Sequence, residues 1–366
     1  MRNHLNVPFY FIFFFLIASI FTVCSSSTAS DNNEHPPPVE VADQDAFRDA
    51  FEVNELLGRG INLGNALEAP NEGEWGMVIQ EEFLDLILAA GFESVRIPIR
   101  WNAHASESHP FTIQRSFFDR VDEVIQWSLD RGLSVMINIH HYNELMQNPQ
   151  QHRQRFLRLW NQIATHYKDY PDNLVFEILN EPHDNLTPSI WNSYLRDAIG
   201  MIRQTNPRRV IAIGTANWGG FGALSQLEIP SNDRQIIATV HYYEPFRFTH
   251  QGAEWAGPET NDWLGTRWDG SDEEKFDIES GFDAVQSWAV TNNRPVHLGE
   301  FGAYSTADNE SRERWTTFVR ESAEQRNFSW AYWEFAAGFG IYDRNQWQWR
   351  DYLLRALIPD SPVLLE

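Results

Sequence analysis

Between Gly60 and Trp333 the chain alternates short apolar, β-branched runs with amphipathic stretches of helical length, and this alternation confines it to a parallel sheet covered by helices. The runs are Gly60–Gly64, Ser94–Ile99, Ser134–Ile139, Leu174–Leu179, Val210–Gly214, Ile237–His241, Val296–Gly299 and Trp330–Trp333. Eight such units predict an α/β fold of one particular kind, a closed (β/α)8 TIM barrel forming a single catalytic domain. Between the runs, apolar residues recur at three- and four-residue spacing in Phe117–Asp130 and Phe156–Tyr167, which predicts helices there. Glu244–Lys275 lacks that spacing and is rich in Trp, Gly and acidic residues, so it reads as a long loop after the sixth strand.

The barrel accounts for residues 46–366. Ahead of it, residues 1–24 read as a signal peptide: Arg2, then an apolar run from about Phe9 to Val23, too short for the ~20 residues that span a bilayer. Residues 25–45, with Pro36, Pro37 and Pro38, read as a low-complexity tether. Cys24 is the sole cysteine and ends the apolar run, where a bacterial lipoprotein carries its lipid. Val23 is bulky for such a signal, and the competing reading is cleavage a few residues later. Both readings predict export, and no disulfide supports the fold.

Formal net charge is −23, which argues against a nucleic-acid partner, because such a partner needs phosphates neutralised by Lys and Arg. A neutral polymer remains compatible, and 15 Trp, 11 Tyr and 25 Phe supply flat apolar surface on which sugar rings stack. No motif encodes an oligomeric state, and a monomer is the expectation for one domain without a repeat or second linker.

At a barrel's C-terminal mouth the strand-end residues converge, and here they are Asn65, Arg96, His140, His141, Asn180, Glu181, His241, Tyr243, Glu300, Trp333 and Glu334. The fourth run stops at Asn180-Glu181-Pro182 and the seventh at Gly299-Glu300-Phe301-Gly302. Two carboxylates so placed suit cleavage of a glycosidic bond: one protonates the leaving oxygen, the other meets the positive charge growing at the anomeric carbon. A separation of about 5–5.5 Å gives retention of configuration, and about 6.5–9.5 Å gives inversion. The bland alternative is a salt-bridged pair at the rim. His140, His141 and His241 also raise a divalent metal, but no His-x-His lies on the first strand, no Lys is positioned for carbamylation, and Arg96 would repel a cation. No metal and no cofactor are therefore expected.

These motifs resemble glycoside hydrolase family 5. The resemblance extends over Gly60–Pro70, Val95–Trp101, Ile137–Tyr142, His241–Tyr243 and Trp330–Phe335, and so over nearly everything from Phe47 onward. Within the family the chain is similar to thermophilic bacterial endoglucanases that also act on mannans. The resemblance implies Glu181 as acid/base and Glu300 as nucleophile, in a retaining, endo-acting β-1,4-glycanase. Arg96 and Tyr243 would hold Glu300, His241 would pair with Glu181, and Asn180 would bond the sugar 2-hydroxyl. Asn65, Glu68, His140, His141, Trp255 and Trp333 would contact the polysaccharide, with Trp218, Trp263 and Trp268 as further stacking candidates and a loop salt bridge as the other reading of Glu68. A β-mannanase, a xyloglucanase and a non-catalytic glycan-binding protein are the alternatives.

Overall fold

The structure, a computed structural model, describes residues 47–365; the expected leader, the tether and Cys24 lie outside the described residues. Eight parallel strands close into a barrel: β1 (Arg59–Asn62), β2 (Ser94–Ile97), β3 (Ser134–Asn138), β4 (Leu174–Glu177), β5 (Ile211–Gly214), β6 (Ile236–Tyr242), β7 (Val296–Phe301) and β8 (Ser329–Tyr332). Closure runs through β8 and β1, with Gly60 opposite Ala331. The strands read as unbroken apolar runs because both faces are covered, one by helices and the other by the barrel interior. β2 to β4 leave the ladder one or two residues before the apolar runs end, and β7 continues two residues past Gly299, so that Glu300 lies inside a strand.

The helix Arg115–Asp130 shows why the covering elements form. Phe117, Phe118, Val121, Val124 and Ile125 fall on one face and are buried against the sheet. Full burial of each such side chain stabilises by roughly 1.5–3 kcal/mol. The helix Pro149–His166 begins seven residues before the expected Phe156, because Pro149 is accommodated in its first turn, where a missing N–H costs nothing. Between β5 and β6 the covering element shrinks to a 3-10 turn, Phe221–Gln226. The long segment after β6 is not one irregular loop: it holds the short helix Phe246–Thr249 and the turns Glu254–Ala256 and Pro258–Trp263. It also ends sooner than expected, because Ser271 and Glu274 form a reciprocal cap that starts the helix Asp272–Asn292.

At the opposite end, the helix Ala50–Leu57 plugs the barrel. Ala50, Val53 and Leu57 pack on Met136, Val175, Ala212 and Ile237, residues that strand alternation turns inward. Among the described residues no helix is long and apolar enough to cross a membrane.

Candidate active site

Two backbone irregularities aim the glutamates. Pairing between β6 and β7 shifts after Val240, so that Val240 faces Leu298 but His241 faces Glu300, with Gly299 as the extra residue. Only glycine fits at the bulge: a Cβ on Gly299 would lie 2.7 Å from Thr239 Oγ1 and 3.1 Å from His241 Nε2. On the other side, Glu181 adopts φ +44°, a left-handed conformation that costs a non-glycine residue about 1–3 kcal/mol. The turn carries its side chain to His241, whose Nδ1 lies 2.7 Å from Glu181 Oε1 and 3.7 Å from Glu300 Oε2. One ligating atom each of Glu181, His241 and Glu300 lies within 4.8 Å of the others.

Glu300 sits in a dense network. Arg96 Nη1 donates to Glu300 Oε1 at 2.8 Å, and the Tyr243 hydroxyl donates to Oε2 at 2.9 Å. Arg96 also donates to Asn180 Oδ1 at 2.8 Å and to Asn62 Oδ1 at 2.8 Å, and twice to Glu177, at 2.6 and 3.0 Å. All five guanidinium N–H groups are thereby used, as a buried cation requires. Burial alone would weaken the proton on Arg96, but the charges of Glu177 and Glu300 outweigh it and hold the guanidinium protonated. For His241, burial lowers the pKa, yet the Glu300 charge and the Glu181 hydrogen bond prevail and the net shift is upward. Burial, reinforced by the Glu300 charge, pushes the Tyr243 hydroxyl well above its ordinary value, so it stays a donor.

Around the pair, Trp333 is partly exposed and stacks nearly parallel to His140, centroids 5.8 Å apart. Burial first, and the neighbouring His141 next, hold His140 well below the usual histidine range. His141, at φ +57°, is pushed down to about 4, chiefly by burial. Both rings are thus neutral at pH 7, able to donate from one nitrogen and accept at the other. His141 is the partly exposed member and meets Trp75 edge-on at 5.5 Å. Trp255 is 67% exposed above His250 and Phe339. Trp218, 56% exposed, stacks on His183 with centroids 3.5 Å apart, two residues from Glu181.

Two expectations are corrected. Glu68 is completely buried, so it offers neither a sugar contact nor a surface salt bridge; its carboxylate accepts from the backbone N–H groups of Asn65 and Ala66. Its function is therefore to fix the turn carrying partly buried Asn65 at the mouth. Trp268 is 1% exposed and packs on Phe318, inside the core. Trp263 is partly exposed beside Phe246. Sequence reasoning passed over Glu177, Asn62 and Asn138. Glu177 carried a usable signal, an acidic residue within the apolar run Leu174–Leu179.

A closed barrel whose mouth holds two glutamates in unlike polar settings defines a protein of the glycosidase class. The sequence model of Cellulase (glycosyl hydrolase family 5) matches residues 57–338, and the chain belongs to that family. It is 39% identical over 297 residues to endoglucanase H of Acetivibrio thermocellus, covering 81% of this chain and 31% of that protein. It is 32% identical to the same organism's cellulase/esterase CelE over 305 residues, 78% of this chain and 36% of the relative. The chain thus spans about a third of these two curated relatives. Among solved structures, Thermotoga maritima Cel5A in complex with mannotriose is 55% identical, with a TM-score of 0.83, covering 85% of this chain and all of that one. A hyperthermophilic endo-β-1,4-glucanase solved with substrate is 48% identical, with a TM-score of 0.84, over 86% of this chain and all of that one.

Proposed function

We propose that this chain is an endo-acting, retaining β-1,4-glycanase that hydrolyses β-glucan and also mannan, with Glu181 as acid/base and Glu300 as nucleophile. One observation carries the reading: oxygens of the two carboxylates approach within 4.8 Å, short of the gap of about 6.5–9.5 Å in which an inverting enzyme seats its water. Their settings support this division of roles. Glu300 is buried and held in place by a cation and a phenol, as a nucleophile must be, whereas Glu181 is the more open of the two and is hydrogen-bonded by His241 alone.

Attack by a Glu300 oxygen on the anomeric carbon breaks the glycosidic bond as Glu181 protonates the leaving oxygen. Water then attacks the anomeric carbon, giving a proton to Glu181, and the bond to the Glu300 oxygen breaks, returning Glu300 to its carboxylate and Glu181 to its acid form. In this reading Asn180, whose side-chain oxygen accepts from Arg96, bonds the sugar 2-hydroxyl, and Trp333 stacks on the sugar ring. Trp218 and Trp255, both exposed, are the further stacking candidates. The chemistry needs no metal: the oxygens that would bind one already face Arg96, Tyr243 and His241, and a fixed guanidinium 2.8 Å from Glu300 disfavours a second cation.

Dual specificity draws support from Thermotoga maritima Cel5A, solved with mannotriose and with cellobiose. The test is reducing-sugar release from mixed-linkage β-glucan, carboxymethyl cellulose, galactomannan, glucomannan and xyloglucan, with Glu300→Ala as blank. Activity on glucans and mannans, absent in the blank, is expected; silence on all five refutes the reading. Export as a monomer, with Cys24 as the lipid acceptor, completes the proposal, and it rests on the apolar run ending at that residue. Intact mass of the mature protein tests it, since an unlipidated chain lacking Cys24 would overturn the anchor.

A further inference from the structure

Glu177 has no part in the two-carboxylate scheme, yet it holds the nucleophile's own cation more fully than the nucleophile does. Its two oxygens accept from Arg96 Nε at 2.6 Å and Nη2 at 3.0 Å, whereas Glu300 receives one bond, from Nη1 at 2.8 Å. Arg96 and Glu177 are each 1% exposed at the side chain, and Glu300 is 6% exposed. Asn138 Nδ2 adds a bond to Glu177 at 3.1 Å, which fixes the carboxylate from β3. One buried cation therefore faces two buried carboxylates, and the excess negative charge resides where the sugar is attacked.

We infer that Glu177 is a positioning residue that keeps Arg96 charge-compensated while Glu300 is esterified. The inference rests on the retaining reading above. In the first step a lone pair of a Glu300 oxygen forms the bond to the anomeric carbon. The pair of the broken glycosidic bond goes to the leaving oxygen, which takes the Glu181 proton. Negative charge thus leaves Glu300, now a neutral ester, and appears on Glu181. Total charge is unchanged, but Arg96 has lost one of its two counter-ions.

With Glu177 in place, the Arg96 environment passes from one negative charge in excess to balance. Without it, the environment would pass from balance to an uncompensated buried cation, an expensive state in a dry interior. Such a cation would also bind the Glu300 charge too firmly for attack, and would draw the carboxylate off the sugar in the second step. The two chemical steps should therefore respond to Glu177 in opposite directions.

The test uses the full chain and 2,4-dinitrophenyl β-cellobioside in rapid-quench kinetics, together with turnover of the 2-fluoro-cellobiosyl enzyme. Mass of the wild-type adduct, mapped to Glu300, comes first; its absence would sink the retaining reading itself and not this inference alone. In E177Q the glycosylation rate is expected to fall on the order of 10²-fold, as when one electrostatic partner of a transition state is removed. Breakdown of the fluoro-adduct is expected to be unchanged or faster. Equal slowing of both steps, or slowing of neither, overturns the inference, since displaced geometry harms both alike. Should circular dichroism show E177Q unfolded, E177D decides: it keeps the charge, so the ratio of the two rates should stay near wild type even where both fall. A ratio shifted toward slow glycosylation in E177D would refute the charge argument.

Discussion

Glu68→Gln should flatten the dependence of stability on pH. Burial pushes the Glu68 carboxyl up to about 8 from an ordinary value of 4.5, against the lowering effect of its backbone hydrogen bonds. A group whose pKa is raised on folding holds its proton more tightly in the native state. Its contribution is therefore complete below the unfolded value and is lost as pH rises through the folded one. At 1.36 kcal/mol per unit, this carboxyl should cost the protein roughly 3 kcal/mol between pH 5 and pH 8. Unfolding entropy near 2.1 cal/mol/K per residue, over roughly 320 residues, converts that to a fall of about 5 °C in melting temperature.

The variant's amide nitrogen cannot accept from Asn65 or Ala66, so a pH-independent loss of about 1 kcal/mol is expected as well. Offset and slope are thus separable. Glu334, raised to about 7 mainly by burial, contributes a slope of the same sign, but it is present in both proteins and largely cancels in the difference. Calorimetric melts of wild type and Glu68→Gln at half-unit steps from pH 5 to 8.5 provide the assay. Wild type should be the more stable protein by about 1 kcal/mol near pH 5 and the less stable by about 2 kcal/mol near pH 8, so curves that cross support the reasoning; parallel curves would show that Glu68 titrates alike in folded and unfolded chains, which its burial forbids.

Three further outcomes are expected. Tyr243→Phe removes the hydroxyl donor to Glu300 Oε2 and should lower kcat on the order of 10²-fold with KM little altered; an unchanged kcat would mean that Arg96 alone orients the nucleophile. Gly219→Ala must place a Cβ at φ +70° and 3.1 Å from the His241 ring, so it should cost about 1–3 kcal/mol and lower kcat by displacing His241 from Glu181. Gly222→Ala, which meets open space, serves as its control in the same melts and assays. His141→Ala should change the ratio of β-glucan to mannan hydrolysis, because the sugars differ at the 2-hydroxyl and this neutral, partly exposed ring lies at the mouth; an identical ratio removes His141 from substrate choice.

Sequence alone determined the barrel and, to within one or two residues, where its strands end. A strand covered on both faces has no solvent side, so the chain must write it as an unbroken apolar run, and eight such runs are visible without any tertiary information. Glu181 and Glu300 were legible for the same local reason, each being a polar residue at the point where such a run stops. Partners were another matter. Arg96 could be matched to Glu300 from its place on β2, three strands round the barrel from β7, but its firmer hold on Glu177 depends on how a guanidinium fork fits between β2 and β4.

The glycine bulge that sets His241 opposite Glu300 arises from a slip between β6 and β7, which neither strand's own sequence specifies. Glu68 and Trp268 read as surface residues because loop composition carries no record of what covers a side chain. Neighbours distant in sequence supply that cover: Glu334 lies close enough to Glu68 to raise its pKa further, and Phe318 packs on Trp268. Periodicity is a property of consecutive residues and survives in the sequence, whereas burial in a loop, the sharing of one cation by two carboxylates and strand register exist only once distant segments meet.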